Sequence, residues 1–341
     1  MKAMVLEKPC NLMENHAPLA LRERAVPVPG DKEILLKISS CGVCHTELDE
    51  IEGRTPPARL PIIPGHQVVG RVEAVGGKVS AVKPGDRLGV AWIFSACGTC
   101  RFCLAGNENL CSAFEATGRD ADGGYAEYMT VAENFAYPVP EALSDVQAAP
   151  LLCAGAIGYR SLRLAKLQDG QRLGLTGFGA SAHLVLKMLK HQYPNTDVYV
   201  FARSAAERAF AEELGAVWSG DTFERPPHKL DGIIDTTPAW EPVIAALANL
   251  ESGGRLVINA IRKEGDKRCL LDLDYPLHLW QEKEIKSVAN ITRTDVKDFL
   301  QMAAAMNLQP EIQVFTLEQA NEALVELKDG KIRGAKVLKI S

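Results

Sequence analysis

Four cysteines lie close together in the segment CGTCRFCLAGNENLC, namely Cys97, Cys100, Cys103 and Cys111. This C-x2-C-x2-C-x7-C spacing can bring four thiolates onto one ion. Zn2+ prefers such a tetrahedral sulfur shell in closed structural sites, with Zn–S distances of about 2.3 Å. An iron–sulfur cluster is the main alternative, because dense cysteine runs also ligate iron, but the C-x2-C-x2-C-x3-C-P pattern is absent. The spacing therefore predicts a structural zinc in a four-cysteine lobe, about residues 95–113.

Three further residues of metal-binding type, Cys44, His66 and Cys153, are more dispersed. Alone, each is most simply interpreted as a buried thiol or a structural imidazole. Together they make a Cys2His set, which leaves one position of a tetrahedral zinc open for water or substrate. They are therefore candidate ligands of a second, reactive metal.

A glycine motif follows in the segment RLGLTGFGASAHLVLKML, whose pattern predicts a strand, a tight turn and a helix. Gly177-x-Gly179-x-x-Ala182 fits the dinucleotide fingerprint, in which the glycines permit the turn and the approach of a pyrophosphate and Ala182 allows close helix–strand packing. The N-terminus of the helix then offers N–H donors to phosphates. A plain tight turn is the alternative, but the strand–turn–helix context favours a dinucleotide site.

The residues after the next strand determine which nicotinamide cofactor fits. NAD sites usually have Asp or Glu there, which accepts hydrogen bonds from the ribose hydroxyls. In this chain the strand VYVF continues into Ala202, Arg203 and Ser204, and Arg208 follows one helical turn later. No carboxylate directly follows the strand to repel a 2′-phosphate, and Arg203 can pair with one. The pattern favours NADP; NAD remains the alternative if Arg203 is only a solvated surface residue.

Two kinds of domain must position these residues. Residues 1–150 carry short β-like runs between turn signals, which predicts a twisted, partly closed β-rich domain. In residues 151–292, β-rich runs alternate with helical patterns, which predicts a parallel sheet wound with helices on both faces. Residues 293–341 predict two helices and a closing strand that return to the first domain. At the junction, SDVQAAPLLCAGAIGYRSL predicts a helix capped at Ser144 or Asp145.

Composition excludes several classes of partner. The chain has 341 residues and a formal net charge of −5, which disfavours nucleic acid and anionic membranes as partners. No apolar run reaches the ~18–20 residues that span a bilayer, and the N-terminus is too polar for a secretory signal. We therefore expect a cytoplasmic protein whose nine cysteines are thiols available for metal rather than disulfides.

Seven motifs occur in order along the whole chain: CGVCHTELD, PGHQVVGRVEAVG, KPGDRLGV, the four-cysteine lobe, DGGYAEY, APLLCAGAIGYRSL and GFGASAH. They resemble the zinc-dependent alcohol dehydrogenases of the medium-chain dehydrogenase/reductase superfamily. The resemblance implies an α/β protein with a GroES-like β-rich catalytic domain and a Rossmann-type doubly wound parallel sheet domain. It also implies a homo-dimer or homo-tetramer that acts on a small alcohol or aldehyde.

The resemblance also assigns roles. It implies that Cys44, His66 and Cys153 hold a catalytic zinc that polarises the alcohol or carbonyl oxygen, and that the four lobe cysteines hold a structural zinc. Thr46 matches the hydroxyl that relays the alcohol proton, and His45 matches a residue near the cofactor phosphates or ribose. The implied activity is hydride transfer between a primary alcohol and NADP, with two zinc ions per chain.

This chain departs from the family pattern at several positions. Gln67 stands where the family usually has Glu after the zinc histidine, so it cannot supply an anionic alternate ligand. Glu47 replaces the Asp that orients that histidine, and we expect its longer side chain to reach. Asp49 occupies the position of the outermost relay histidine and is the candidate for proton exit, together with solvent.

Near the C-terminus, Ala335 stands where many relatives carry an Arg for the pyrophosphate. Arg333 or Lys336 is a candidate substitute.

Two other functions are compatible with the motifs. The first is a polyol or amino-alcohol dehydrogenase of the same superfamily, although those relatives often have a carboxylate among or beside the catalytic zinc ligands, where this chain has Gln67 and Cys153. The second is a catalytically silent nucleotide-binding protein, although such proteins typically lose the zinc ligands that this chain keeps.

Overall fold

The computed structural model describes residues 1–263, 265–330 and 334–341. Over these ranges the chain divides into two compact units. Unit 1 comprises Met1–Ala156 and Ile291–Ser341, and unit 2 comprises Ile157–Asn290. Within the described ranges, no helix is both long and apolar enough to cross a membrane.

Unit 1 begins with short strands and few helical turns. Its first strands are β1 (Lys2–Leu6), β2 (Leu19–Glu23), β3 (Glu33–Val43), β4 (Val68–Val75), β5 (Arg87–Val90), β6 (Ile93–Ser95), β7 (Glu115–Ala116), β8 (Tyr128–Ala132) and β9 (Ala136–Pro138). Helices α1 (His45–Ile51) and α2 (Arg101–Leu104) lie between them, with 3-10 turns at Glu108–Leu110 and Glu133–Phe135. Strand β3 pairs antiparallel with both β4 and β8, which buries most of its length.

The junction segment forms α3 (Asp145–Pro150), a π-helical turn (Leu151–Gly155) and α4 (Ala156–Ala165). Ser144 caps α3 in a capping box with Gln147, as predicted. The segment is helical as predicted, but its hydrogen-bond ladder widens directly after Pro150, a residue with no N–H to donate. Such π-helical turns are frequent at functional sites, and this one carries Cys153.

Unit 2 alternates strands and helices. The elements are β10 (Arg172–Thr176), α5 (Ala180–Gln192), β11 (Asp197–Phe201), α6 (Ala205–Glu213), β12 (Trp218–Gly220), β13 (Leu230–Asp235), α7 (Glu241–Asn249), β14 (Leu250–Ile258), a 3-10 turn (Lys267–Asp272), α8 (Tyr275–His278) and β15 (Glu284–Ser287). The strands are parallel throughout the order β12-β11-β10-β13-β14-β15. The order runs outward from β10 in both directions, so the crevice where ligands of such sheets bind lies at the carboxyl ends of β10 and β13.

The remaining chain returns to unit 1 as α9 (Arg293–Ala305), β16 (Ile312–Thr316), a 3-10 turn (Leu317–Gln319), α10 (Ala320–Lys328) and β17 (Ala335–Lys339). Strand β17 pairs antiparallel with β3, where Leu338 lies opposite Cys41. The resulting sheet has the order β16-β17-β3-β4-β5-β9. The predicted fold class, a β-rich domain plus a doubly wound parallel sheet, is confirmed.

Candidate metal centres and cofactor site

Cys44 is the N-cap residue of α1 and is fixed by that helix. Its thiol accepts a hydrogen bond from the Thr46 backbone N–H at 3.3 Å, and its own backbone N–H donates to Glu47 Oε2 at 2.8 Å. This reciprocal capping satisfies donors that a helix start leaves unpaired. The sulfur therefore has a defined position at the end of β3.

His66 faces Cys44 from the loop before β4. Its Nε2 lies 3.7 Å from Cys44 Sγ, and its Nδ1 lies 2.5 Å from Glu47 Oε1. Both the imidazole and the Glu47 carboxyl group are almost fully buried. A carboxylate on Nδ1 fixes the tautomer that leaves Nε2 as the electron-pair donor. The longer side chain of Glu47 thus spans the distance to the histidine.

Cys153 completes this group from the π-helical turn. The ligand atoms of Cys44, His66 and Cys153 all lie within 4.8 Å of one another. Tetrahedral ligands at about 2.0–2.3 Å from a zinc ion lie roughly 3.3–3.8 Å apart, so a small inward adjustment closes the set. The donor types and their convergence fit Zn2+.

Electrostatics support the same interpretation. A hydrogen bond with Cys153, followed by burial, raises the pKa of Cys44 well above its usual range. Burial lowers the pKa of His66, but the charges of Glu47 and Cys44 outweigh it and leave that pKa well above its usual value. Thiolate and neutral imidazole are the forms that bind a dication, so metal binding at this group would release protons.

The neighbours of this group include polar residues with different roles. Gln67 is buried against Gly42, where an added Cβ would lie 2.7 Å from Gln67 Cδ, so its amide is part of the packing. Asp49 is also buried, and its Oδ1 accepts a hydrogen bond from Arg54 Nε at 2.6 Å.

Glu50 was not singled out by the sequence analysis. It is 1% exposed, and neither carboxyl oxygen has a hydrogen-bond partner among the described atoms. Burial and then the charge of Glu47 raise its pKa well above the usual range. Its position three residues after Glu47, on the same helix face, is the sequence signal that could have identified it.

The four lobe cysteines also converge. Sulfur–sulfur distances are 3.8 Å for Cys97–Cys103, 3.6 Å for Cys100–Cys103 and 3.5 Å for Cys97–Cys111. Backbone hydrogen bonds from Thr99 and Cys100 lower the pKa of Cys97 to about 6. These distances fit one tetrahedral ion, whereas the iron and sulfide atoms of a cluster would separate the thiolates further.

In unit 2 the glycine motif occupies the turn between β10 and α5. Gly177 has φ +78°, and an added Cβ there would lie 2.9 Å from Thr236 Oγ1, so only glycine fits. An added Cβ at Gly179 would meet no atom within 4 Å, which leaves the backbone open to a ligand. Ala182 is fully buried on α5. The backbone at the start of α5 is therefore accessible.

Two arginines follow β11: Arg203 is exposed, whereas Arg208 is hydrogen-bonded to the backbone of the turn. Ala202 is buried, whereas Arg203 and Ser204 are exposed. Arg208 Nη1 donates to Ala202 O at 2.7 Å and to Arg203 O at 3.0 Å, and lies 3.8 Å from Asp221 Oδ2. Arg208 therefore shapes the turn that presents Arg203. Asp221 could not be predicted from the sequence, because it follows β12, which is paired with β11 in the sheet but separated from it in the chain.

The suggestion that Lys336 binds the pyrophosphate is wrong. Its side chain is 1% exposed, and its Nζ donates to Glu326 Oε2 at 2.6 Å and to Gln313 Oε1 at 2.7 Å. Those two bonds already use this ammonium group inside unit 1. The alternative residue, Arg333, lies outside the described residues.

His183 gives unit 2 a pH-dependent stability. It is 1% exposed on α5, and burial lowers its pKa from 6.5 to about 4. The unfolded chain therefore binds a proton at higher pH than the folded one, so stability falls as pH drops from about 6.5 toward 4. We expect the free energy of unfolding in urea to fall by about 2 kcal/mol more from pH 7 to pH 5 in the wild type than in His183→Leu.

His191, an exposed histidine on the same helix, provides the control. His191→Gln should keep the wild-type pH dependence. Equal losses in His183→Leu and the wild type would contradict the prediction.

Comparisons with known proteins agree with this geometry. The alcohol dehydrogenase GroES-like domain matches residues 30–141. A protein of Mycobacterium tuberculosis described as "Probable alcohol dehydrogenase AdhA" is 43% identical over 328 residues, covering 95% of this chain and 93% of that protein. An alcohol dehydrogenase of Geobacillus stearothermophilus is 32% identical over 355 residues and covers 100% of both chains. The structure of a cinnamyl alcohol dehydrogenase from Sorghum bicolor superposes with a TM-score of 0.80 at 27% identity, covering 94% of each chain.

The likeness therefore extends over nearly the whole chain and includes both units. It agrees with the motifs, with the parallel sheet of unit 2 and with the two groups of metal-binding side chains. The chain belongs to the zinc-dependent alcohol dehydrogenase family of the medium-chain dehydrogenase/reductase superfamily, and it is an oxidoreductase.

Proposed function

We propose that this protein is an alcohol dehydrogenase and aldehyde reductase that transfers a hydride between a primary alcohol and NADP, with two zinc ions per chain. The observation that carries the proposal is the convergence of Cys44, His66 and Cys153 within 4.8 Å. Zn2+ held by these residues would supply Lewis-acid polarisation of an alcohol or carbonyl oxygen. The lobe cysteines would hold the second, structural ion.

The chain's own groups would handle the proton and the ligands. Thr46 follows Cys44 by two residues, and its backbone N–H already contacts that sulfur, so its hydroxyl is proposed to take the alcohol proton. Exposed His45 is proposed to lie near the cofactor phosphates or ribose. Glu47 is proposed to orient His66, and Asp49, held by Arg54, to serve proton exit.

Unit 1 supplies the residues proposed for catalysis and unit 2 those proposed for the cofactor. We therefore propose Met1–Ala156 and Ile291–Ser341 as the catalytic domain and Ile157–Asn290 as the Rossmann domain. The bounds expected from the sequence, 1–150, 151–292 and 293–341, would have put Cys153 in the Rossmann domain. Gly177, Gly179 and Ala182 are proposed to receive the pyrophosphate, since the turn leaves the Gly179 backbone open.

The NADP preference is proposed to depend on Arg203. A charge-assisted hydrogen bond contributes about 1.5–3 kcal/mol. We expect Arg203→Gln to lower kcat/KM for NADP by roughly 10–150-fold, with a much smaller effect on kcat/KM for NAD. Steady-state kinetics with both cofactors measure this.

Arg268, an exposed arginine of unit 2 outside the 202–208 segment, is the matched control, and Arg268→Gln should change neither constant. A wild-type enzyme with much the higher kcat/KM for NAD would overturn the cofactor proposal.

We further propose a cytoplasmic homo-oligomer. Strand β15 is the last in its sheet, and all four of its residues are exposed. Nearby in sequence, Leu271, Tyr275 and Trp280 are 88%, 58% and 54% exposed. An unpaired edge beside large apolar side chains favours association with another copy. The reduced thiols of the two metal groups favour a reducing compartment.

Kinetics on a panel of primary alcohols, aldehydes, polyols and amino alcohols with NADP and NAD test the whole proposal. We expect the highest kcat/KM for primary alcohols and their aldehydes. A clear preference for polyols or amino alcohols would favour a polyol or amino-alcohol dehydrogenase. We do not expect this result, because those enzymes often have a carboxylate where this chain has the neutral Gln67 and the thiol Cys153.

A further inference from the structure

Glu108 belongs to the four-cysteine lobe, between Cys103 and Cys111, yet its side chain is only 2% exposed. Its Oε1 accepts hydrogen bonds from the Arg293 backbone N–H at 2.7 Å and from Arg293 Nε at 3.0 Å. Arg293 is the first residue of α9, 185 positions along the chain. The lobe therefore holds the first turn of a distant helix within unit 1.

This contact has a clear physical basis. The first N–H groups of a helix have no partner within it, and a carboxylate is stabilised at that positive end. In α9 a capping box between Thr292 and Asp295 supplies partners for some of these N–H groups. Glu108, which is not part of α9, accepts a hydrogen bond from the Arg293 N–H. A displacement of Glu108 is therefore expected to displace the start of α9.

Helix α9 in turn packs on the segment that carries Cys153. Phe299 is fully buried, and an added Cβ on Gly155 would lie 2.2 Å from Phe299 Cε1. The same Cβ would lie 3.3 Å from Leu151 Cδ2. Leu151 and Gly155 are the ends of the π-helical turn, and close-packed interiors transmit displacements of this kind.

We propose that Glu108 is a positioning residue for Cys153: it ties the four-cysteine lobe to α9, and α9 holds the π-helical turn in the geometry that a metal ligand needs. The inference rests on the proposed function, because it takes Cys153 as a ligand. It adds that the lobe supports the reactive metal group as well as its own ion.

The test is the rate at which each cysteine becomes reactive in the zinc-loaded protein. Holoenzyme is incubated with EDTA and iodoacetamide, and alkylation of each cysteine is followed by mass spectrometry. We expect Glu108→Ala to expose Cys153 to alkylation at least about 10-fold faster than in the wild type, the lower end of the effect of groups that support metal ligands. The lobe cysteines should react at wild-type rates. Glu108→Gln, which keeps an acceptor oxygen, should show a smaller increase.

Glu326→Ala is the matched control, because it breaks another ion pair of unit 1 and leaves the buried ammonium group of Lys336 with only its hydrogen bond to Gln313. It should lower Tm without changing the alkylation rate of Cys153. The inference is overturned if Cys153 stays protected in both Glu108 variants, or if the lobe cysteines become reactive together with it. Rapid alkylation of Cys44 and Cys153 in the wild type would instead refute the proposed metal centre itself.

Discussion

Cys153→Ser should lower kcat by at least about 100-fold while the protein remains folded. Groups that merely support a zinc ligand change activity or affinity by 10–100-fold, and this substitution removes a ligand. A serine hydroxyl stays protonated where a thiol becomes a thiolate, so it is a poor replacement donor. Steady-state kinetics together with zinc analysis measure the effect, and we expect the zinc content to fall from two ions toward one.

A measurement of Tm distinguishes the loss of a zinc ligand from unfolding of the protein. Cys153 lies at the reactive group and not in the lobe, so Tm should change by no more than about 1–2 °C, equivalent to roughly 1 kcal/mol at this size. Cys41 serves as a control, because it is a buried thiol that lies outside the metal group. Cys41→Ala should retain two zinc ions. Near wild-type turnover in Cys153→Ser would contradict the ligand assignment.

Cys103→Ser should have its main effect on stability. Cys103 is buried, and its sulfur lies 3.8 Å from Cys97 Sγ and 3.6 Å from Cys100 Sγ. Structural zinc supplies about 10–16 kcal/mol to zinc-finger peptides. Even a small part of that, at least about 2 kcal/mol, corresponds to a fall in Tm of at least about 3 °C.

Differential scanning calorimetry with excess zinc measures this change, and kinetics well below Tm show how much turnover remains. Cys103→Ser should keep clearly more activity than Cys153→Ser, because the reactive ligands are intact. The opposite pattern, with stability lost in Cys153→Ser and turnover lost in Cys103→Ser, would mean that the two metal assignments are exchanged.

The residues that sequence predicted best are those whose partners are local. The lobe cysteines lie within a short segment, so their spacing alone indicates a common ion. The glycine turn was predictable for the same reason, since its strand and helix are adjacent in the chain. Cys153 is different, because a single cysteine far from other ligands in the sequence does not indicate a metal site. Only its combination with Cys44 and His66 does, and the family resemblance supported that combination.

Other features were hidden because they depend on tertiary contacts. The contact between Glu108 and Arg293 spans 185 positions and leaves no periodic pattern. The π-helical turn was missed because its sequence has ordinary helical spacing. Lys336 looked available for phosphate, and only the pairing of β17 with β16 and the proximity of α10 reveal the partners of its buried side chain.

Anomalous diffraction from crystals of the zinc-loaded protein, measured at the zinc absorption edge, locates the bound zinc ions directly. We expect two peaks per chain. One should lie about 2.3 Å from the sulfurs of Cys44 and Cys153 and about 2.0–2.1 Å from His66 Nε2, and the other should lie within the four-cysteine lobe. A single peak in the lobe, with Cys44, His66 and Cys153 bound to no metal, would contradict this expectation.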